Sequence, residues 1–168
     1  MAARVARGRP RARDSIVDAV LPADVLLELN INALALLQVC GNALGVLQWL
    51  AQHGLIHNEL CCLDCDEPMT LQSRRAQRFV DGYCWACPRC RQQKSVTCDS
   101  FFAGSKLTLL QLIHCIYWWS RQLKQADASF EMGMSLKSMV DWHNFIRDVC
   151  CQYLLDHPIR MGGPGSTV

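Results

Sequence analysis

The chain has 168 residues, enough for one domain or two small ones, and its 51% hydrophobic and 19% charged content is globular rather than disordered. The first 14 residues lack an apolar core, so no secretory signal is expected. The most apolar region, 25–56, is broken by Glu28, Asn30, Asn32, Gln38, Asn42, Gln48 and Gln52, so no transmembrane helix and no membrane partner are expected. The net charge of +2 decides little by itself, but its distribution points to a polyanion or, more plainly, to solvated basic surfaces.

In chain order, Arg4, Arg7, Arg9, Arg11 and Arg13 make residues 1–14 a disordered basic arm, which extends to residue 21. Helical pattern begins near Pro22 and runs through Leu26, Leu27, Leu34 and Leu37, with a break expected at Asn30. Gly41-Asn42 interrupts it, and Asn42 caps a second helix with Leu44, Leu47, Leu50 and Ala51 on one face, ending at Gly54. These N-terminal helices fill 22–57. Over 58–104 helical periodicity gives way to clustered cysteines. Asp81-Gly82, between Phe79-Val80 and Tyr83-Cys84-Trp85, reads as a tight hairpin turn, and Lys94 to Thr97 as a further strand. Helix returns over 105–157. Thr108 and Gln111 have capping-box spacing, and Leu109, Leu112, Ile113, Ile116 and Tyr117 form the apolar face. A short helix over 126–132 follows, then Gly133, then Ser135 as cap of a helix beginning at Leu136. Met139, Trp142, Ile146, Val149 and Tyr153 should form its buried stripe. Residues 158–168 are a glycine-rich exit. No internal repeat is visible. The expected fold class is mainly α, with a small β zinc ribbon and helix-turn-helix-like C-terminal helices.

Two C-x2-C pairs, Cys62/Cys65 and Cys87/Cys90, suit one structural zinc ion. Zinc takes four soft ligands in a tetrahedron, each C-x2-C turn supplies two, and four thiolates leave no open position for catalysis. The 21 intervening residues slightly exceed the usual range of about 15–20. Unligated core thiols are the plainer alternative, and Cys61, Cys84 or Cys98 could replace a proposed ligand; strand alternation turns Cys84 away if Cys87 points inward. Eleven cysteines without an export signal fit a metal site plus buried thiols better than a disulfide framework, with Cys40, Cys115, Cys150 and Cys151 in apolar helical patterns. His114 and His143 read as surface or core residues of the helices, not as ligands.

The second basic cluster, Arg74, Arg75, Arg78, Arg89, Arg91 and Lys94, lies within the ribbon and suits phosphates. In a helix-turn-helix the second helix enters the major groove, which would present Lys137, Ser138, Asp141 and Asn144 to base edges. An ordinary helical bundle has the same spacings.

The series Cys62-x2-Cys65, Asp81-Gly82-Tyr83-x-Trp85-x-Cys87, Ser100-Phe101-Phe102-x-Gly104-Ser105-x-Leu107 and Met134-Ser135-x-Lys137-x-Met139-Val140-x-Trp142 resembles the front end of Merlin and ISXO-type DDE transposases. Pro158-Ile159-x-x-Gly162-Gly163-Pro164-Gly165 is similar to the segment that leads into their catalytic domain. The resemblance covers roughly residues 45–168; the first 40 lie mostly outside it. It implies a zinc ribbon and helix-turn-helix that bind transposon ends. It also implies a downstream ribonuclease-H-like domain with three acids and two divalent metals, beginning beyond Val168. No acid here, Asp141 and Asp148 included, matches a catalytic position.

The expectation is therefore a zinc-dependent DNA-binding fragment or domesticated relative of such a transposase, without catalytic activity of its own. It would be nuclear in a eukaryote and cytoplasmic otherwise. Its expected partner is double-stranded, transposon-end-like DNA, with self-association beside it. The rival readings are a zinc-ribbon module that binds protein and the targeting half of a split or truncated transposase.

Overall fold

Asparagines set the first helices. The Asn32 side chain accepts the Ala35 N–H at 2.8 Å and starts α1 (Ala33–Val39). Asn42 does the same for Gly45 N–H at 2.8 Å and starts α2 (Ala43–Gln52). Each such cap satisfies an otherwise orphaned donor and contributes about 1 kcal/mol. The helical pattern expected from Pro22 to the break at Asn30 is only a 3-10 turn, Ala23–Leu26, and residues 28–32 are a non-helical link, so the break falls where it was expected. Asn30 and Asn32 compete with the helix for backbone hydrogen bonds, which is why the pattern breaks there. The buried face of α2 is Val46, Leu47, Leu50 and Ala51; Leu44, expected inside, is exposed. His53 caps the helix, and Gly54 follows at φ +68°, a conformation that glycine adopts without steric cost.

The computed structural model describes residues 14–26, 28–74 and 78–158. Residues 1–13 of the basic arm, Leu27, Arg75 and residues 159–168 fall outside them. The end of the arm, 14–21, expected to be disordered, is instead held to the protein: Ile16 is buried and its N–H donates to the Asn58 carbonyl at 3.0 Å, the Val17 N–H donates to Asn58 Oδ1 at 2.8 Å, and the Leu21 N–H donates to the Gln52 carbonyl at 2.6 Å. Two compact units result, Met1–Leu110 and Gln111–Val168. In all, five α-helices accompany one three-stranded antiparallel sheet among the described residues, a mixed fold rather than a mainly α one.

The first unit holds α1, α2 and the sheet: β1 (Thr70–Ser73), β2 (Tyr83–Ala86) and β3 (Gln93–Ser95), in the order β1-β2-β3. Cys84 pairs with Gln72 and Ser95, and Trp85 with Leu71 and Lys94. Trp85, Cys84, Met69 and Val96 are buried around the sheet. The hairpin differs from expectation. Its first strand is β1, not Phe79-Val80, and Ser73 pairs with Tyr83 across a longer connection. Gly82 still turns the chain at φ +74°, its N–H donating to the Phe79 carbonyl. The third strand lies one residue earlier than expected at its start and ends at Ser95 rather than Thr97.

Asp81, expected only as a turn residue, is buried, and its carboxylate accepts the Leu109 N–H at 2.6 Å. That N–H belongs to the first turn of α3 (Leu109–Ser120), so the ribbon supplies a cap for this helix. Burial pushes the Asp81 carboxyl above the usual range, and the Leu109 N–H opposes the shift.

In the second unit the remainder of α3 is joined by α4 (Gln125–Met132) and α5 (Leu136–Asp156). Gly133, at φ +58°, ends α4. Ser135 starts α5, its hydroxyl accepting the Ser138 N–H at 3.1 Å. Gln111 donates to the Met132 carbonyl at 3.4 Å. Leu112, Ile113, Cys115, Ala128, Met134, Met139 and Ile146 are the buried apolar residues of this unit. His143 joins them as a core residue: Gln125 Nε2 donates to its Nδ1 at 3.2 Å, and its buried Nε2 has no partner among the described residues. The stripe expected along all of α5 is buried at Met139 and Ile146 only, because Val149 and Tyr153 are exposed. Cys150 and Cys151, expected inside, are exposed as well.

No single described helix is long and apolar enough to cross a membrane. The pair α1 and α2 passes such a test only when joined across a 101° bend, and the apolar face of α2 is already buried within the protein.

Candidate metal centre

The sheet brings two tight loops together. In the first, Cys62 N–H donates to the Glu67 carbonyl at 3.0 Å, and Asp66 N–H returns to the Cys62 carbonyl at 2.9 Å. In the second, Cys87 N–H donates to the Gln92 carbonyl at 2.8 Å, and Arg91 N–H returns to the Cys87 carbonyl at 3.1 Å. The residue after each second cysteine takes a left-handed conformation, Asp66 at φ 55° and Arg91 at φ 63°. Each loop thereby aims both of its sulfurs at the same point.

The Sγ atoms of Cys62, Cys65, Cys87 and Cys90 all lie within 4.8 Å of one another. Cys62 and Cys90 are 3.3 Å apart, Cys65 and Cys87 3.5 Å, and Cys65 and Cys90 3.8 Å. A tetrahedral metal with M–S bonds of about 2.3 Å requires sulfur pairs about 3.8 Å apart. A disulfide would hold them at about 2.05 Å. The donor set therefore fits a four-coordinate soft or borderline metal ion with every position taken by protein. Cys61, Cys84 and Cys98 stand outside the cluster. Cys84 lies on β2, buried, where Arg74 and Arg78 draw its thiol down against the larger upward push of burial.

The crowding shows in the thiols themselves. Cys87 is lowered to about 6, first by the Cys90 backbone N–H that its sulfur accepts at 3.4 Å. At Cys90 the Gln92 backbone N–H pulls downward, yet the Cys62 thiol, desolvation and the other two sulfurs together push it up to about 12. A cation bound by all four sulfurs takes the place of their protons, so metal affinity at this cluster weakens as pH falls.

Around the cluster the charges divide. The first loop carries Asp64, Asp66 and Glu67; the second carries Arg89 and Arg91, both exposed. Arg74 and Arg78 are exposed, and Lys94 is half-buried on β3. Arg78 is held in place: it donates to Gln93 Oε1, and its guanidinium lies 4.7 Å from the centre of the Phe79 ring. Arg75 lies outside the described residues. Of the four residues expected to read bases, Lys137, Asp141 and Asn144 are exposed on α5 and Ser138 is half-buried. The Ser138 hydroxyl lies 2.9 Å from that of Ser135, and Asn144 Oδ1 accepts from Arg147 at 3.0 Å.

Sequence reasoning found the four sulfurs but missed the two left-handed residues and the Asp81 cap. Asp66 carried a faint signal, since aspartate tolerates that conformation; Arg91 carried none. No family model, curated protein or solved structure matches the chain.

Proposed function

We propose that this chain is a zinc-dependent DNA-binding protein in which the Cys62/Cys65/Cys87/Cys90 ribbon holds one structural zinc ion and its basic side grips phosphates. The observation that carries the reading is the second loop: two exposed arginines, Arg89 and Arg91, flank a complete four-thiolate centre, with Arg74 and Arg78 exposed in the same unit. An all-thiolate centre with four sulfurs is a zinc preference in the absence of redox chemistry. The order α4, left-handed Gly133, Ser135 cap, α5 supports a helix-turn-helix, with Lys137, Ser138, Asp141 and Asn144 as the residues that would meet base edges. The motif series, which resembles that of Merlin and ISXO-type transposases, favours an origin as their DNA-binding part, acting without catalysis of its own. Such a protein would work in the nucleus of a eukaryote or the cytoplasm of a prokaryote.

A second reading is favoured by α5 itself. Asp141 and Asp148 share its outer surface with Lys137, which suits a protein partner better than phosphates. Fluorescence-anisotropy titration of the zinc-loaded chain with duplex DNA at several salt concentrations separates the two. Binding that weakens steeply with salt supports DNA. No binding at low salt assigns the surface to protein recognition instead.

A further inference from the structure

Two residues on the outer side of α5 are joined to each other. Arg147 Nη1 donates to Asn144 Oδ1 at 3.0 Å, and both residues are exposed. They stand about 60° apart around the helix, within ordinary reach of side chains one turn apart. Helical side chains lean toward the N-terminus, and Arg147 does so. Its charge reaches His143, where it adds to the larger effect of burial in holding the imidazole below its ordinary value. The guanidinium therefore lies beside residues 143 and 144 rather than beyond them. Asn144 is on nearly the same line of the helix as Lys137, about 20° away over one heptad. Among the described residues no carboxylate takes the remaining Arg147 donors.

The bond decides which way round the Asn144 amide sits. A guanidinium donates and cannot accept, so the oxygen faces Arg147 and the Nδ2 amine faces away from it. An unrestrained asparagine suits adenine: its oxygen accepts from the adenine N6 amine while its own amine donates to N7. Here the oxygen is held by a cation, and that positive charge repels an incoming amine donor. What remains to meet a base edge is Nδ2 and the other N–H groups of Arg147, all of them donors. The base edge with two neighbouring acceptors in the major groove is that of guanine, through O6 and N7.

We propose that Asn144 and Arg147 act as one unit that reads guanine, with Arg147 turning the asparagine away from adenine. The inference rests on the DNA-binding reading of α5 and adds Arg147 to its recognition residues. Selection of bound duplexes from a randomised pool, using the zinc-loaded full chain, identifies the base pair whose preference Asn144→Ala abolishes. Anisotropy titrations then compare duplexes that differ only there. The wild type should favour guanine over adenine about tenfold. Arg147→Ala frees the Asn144 oxygen and should move the preference to adenine, whereas Arg147→Lys keeps a donor beside the oxygen and should keep guanine. Circular dichroism and zinc content establish that the variants are folded.

A wild type that binds no duplex at low salt overturns the DNA-binding reading, and this inference falls with it. Three other results overturn the inference alone and leave DNA binding standing. The wild type favours adenine at that pair, it shows no base preference that Asn144→Ala removes, or Arg147→Ala weakens every duplex alike with the preference unchanged.

Discussion

The loops Cys62–Glu67 and Cys87–Gln92 follow one backbone course and carry opposite charge. Both close with the same pair of main-chain hydrogen bonds, and both place a left-handed residue after the second cysteine. At matching positions Asp64 stands for Arg89, Asp66 for Arg91 and Glu67 for Gln92. The likeness lies in what aims the sulfurs, and the difference in side chains that point away from them. Metal geometry thus constrains the main chain, while the outward residues are free to answer to a partner.

The largest effect should test the likeness. Cys62→Ser and Cys87→Ser should each lose the metal and unfold the ribbon, because structural zinc contributes on the order of 10–16 kcal/mol of apparent binding energy to folding. Metal analysis should find about one zinc per wild-type chain and near none in either variant, with Cys84→Ser unchanged. Full zinc in Cys62→Ser would break the equivalence of the loops.

The difference is tested next. Arg89→Ala with Arg91→Ala should weaken binding to every duplex and flatten the logarithmic salt slope by about two, one for each phosphate that is no longer neutralised. Asp64→Ala with Asp66→Ala should leave affinity unchanged or raise it. Lys137→Ala should instead reduce preference for a selected site by about 1–3 kcal/mol. If the two loop pairs change affinity in the same direction, charge does not distinguish the loops.

A pH titration sets the helical unit beside the ribbon. Burial, and then the Arg147 charge, holds His143 below its ordinary value, and burial does the same to His114. The unfolded chain therefore binds more protons below about pH 6.5, so stability is complete above that value and falls as acid carries pH from there through the lowered folded values. Urea midpoints for the signal of α3–α5 should drop between neutral pH and pH 5, and His143→Gln should reduce the drop. An unchanged response in that variant removes His143 as its cause.

The smallest effect concerns the left-handed positions. Asp66→Gly and Arg91→Gly should each stabilise the zinc-loaded ribbon by about 0.5–1 kcal/mol, with the larger gain at Arg91 because aspartate already tolerates this conformation. Thermal denaturation reads both. Destabilisation at either position would mean that its side chain makes an interaction worth more than the backbone strain.

Much of the fold is legible in the sequence, for local reasons. Asn42, Ser135 and Gly133 act within a few residues of themselves, and the four cysteines announce their chemistry by spacing. The misreadings share another cause. Phe79-Val80 looks like a strand because it is apolar beside Asp81-Gly82, yet Phe79 is buried outside the sheet and β1 comes from farther upstream. Val149 and Tyr153 have the periodicity of a core, and periodicity reports that a seam exists without naming what lies across it. Asp81 advertises only its turn chemistry, since its partner lies 28 residues away.

That bond also sets a sequence of events. As the chain leaves the ribosome, residues 62–95 are available to bind metal and close the sheet before Leu109 emerges. The carboxylate that caps the start of α3 is then already in position when the helix begins, and nucleation, the unfavourable step, starts against a fixed acceptor. A fragment beginning after residue 104 must start the same helix unaided, so the helical unit made alone should gain its structure more slowly than it does behind its own ribbon.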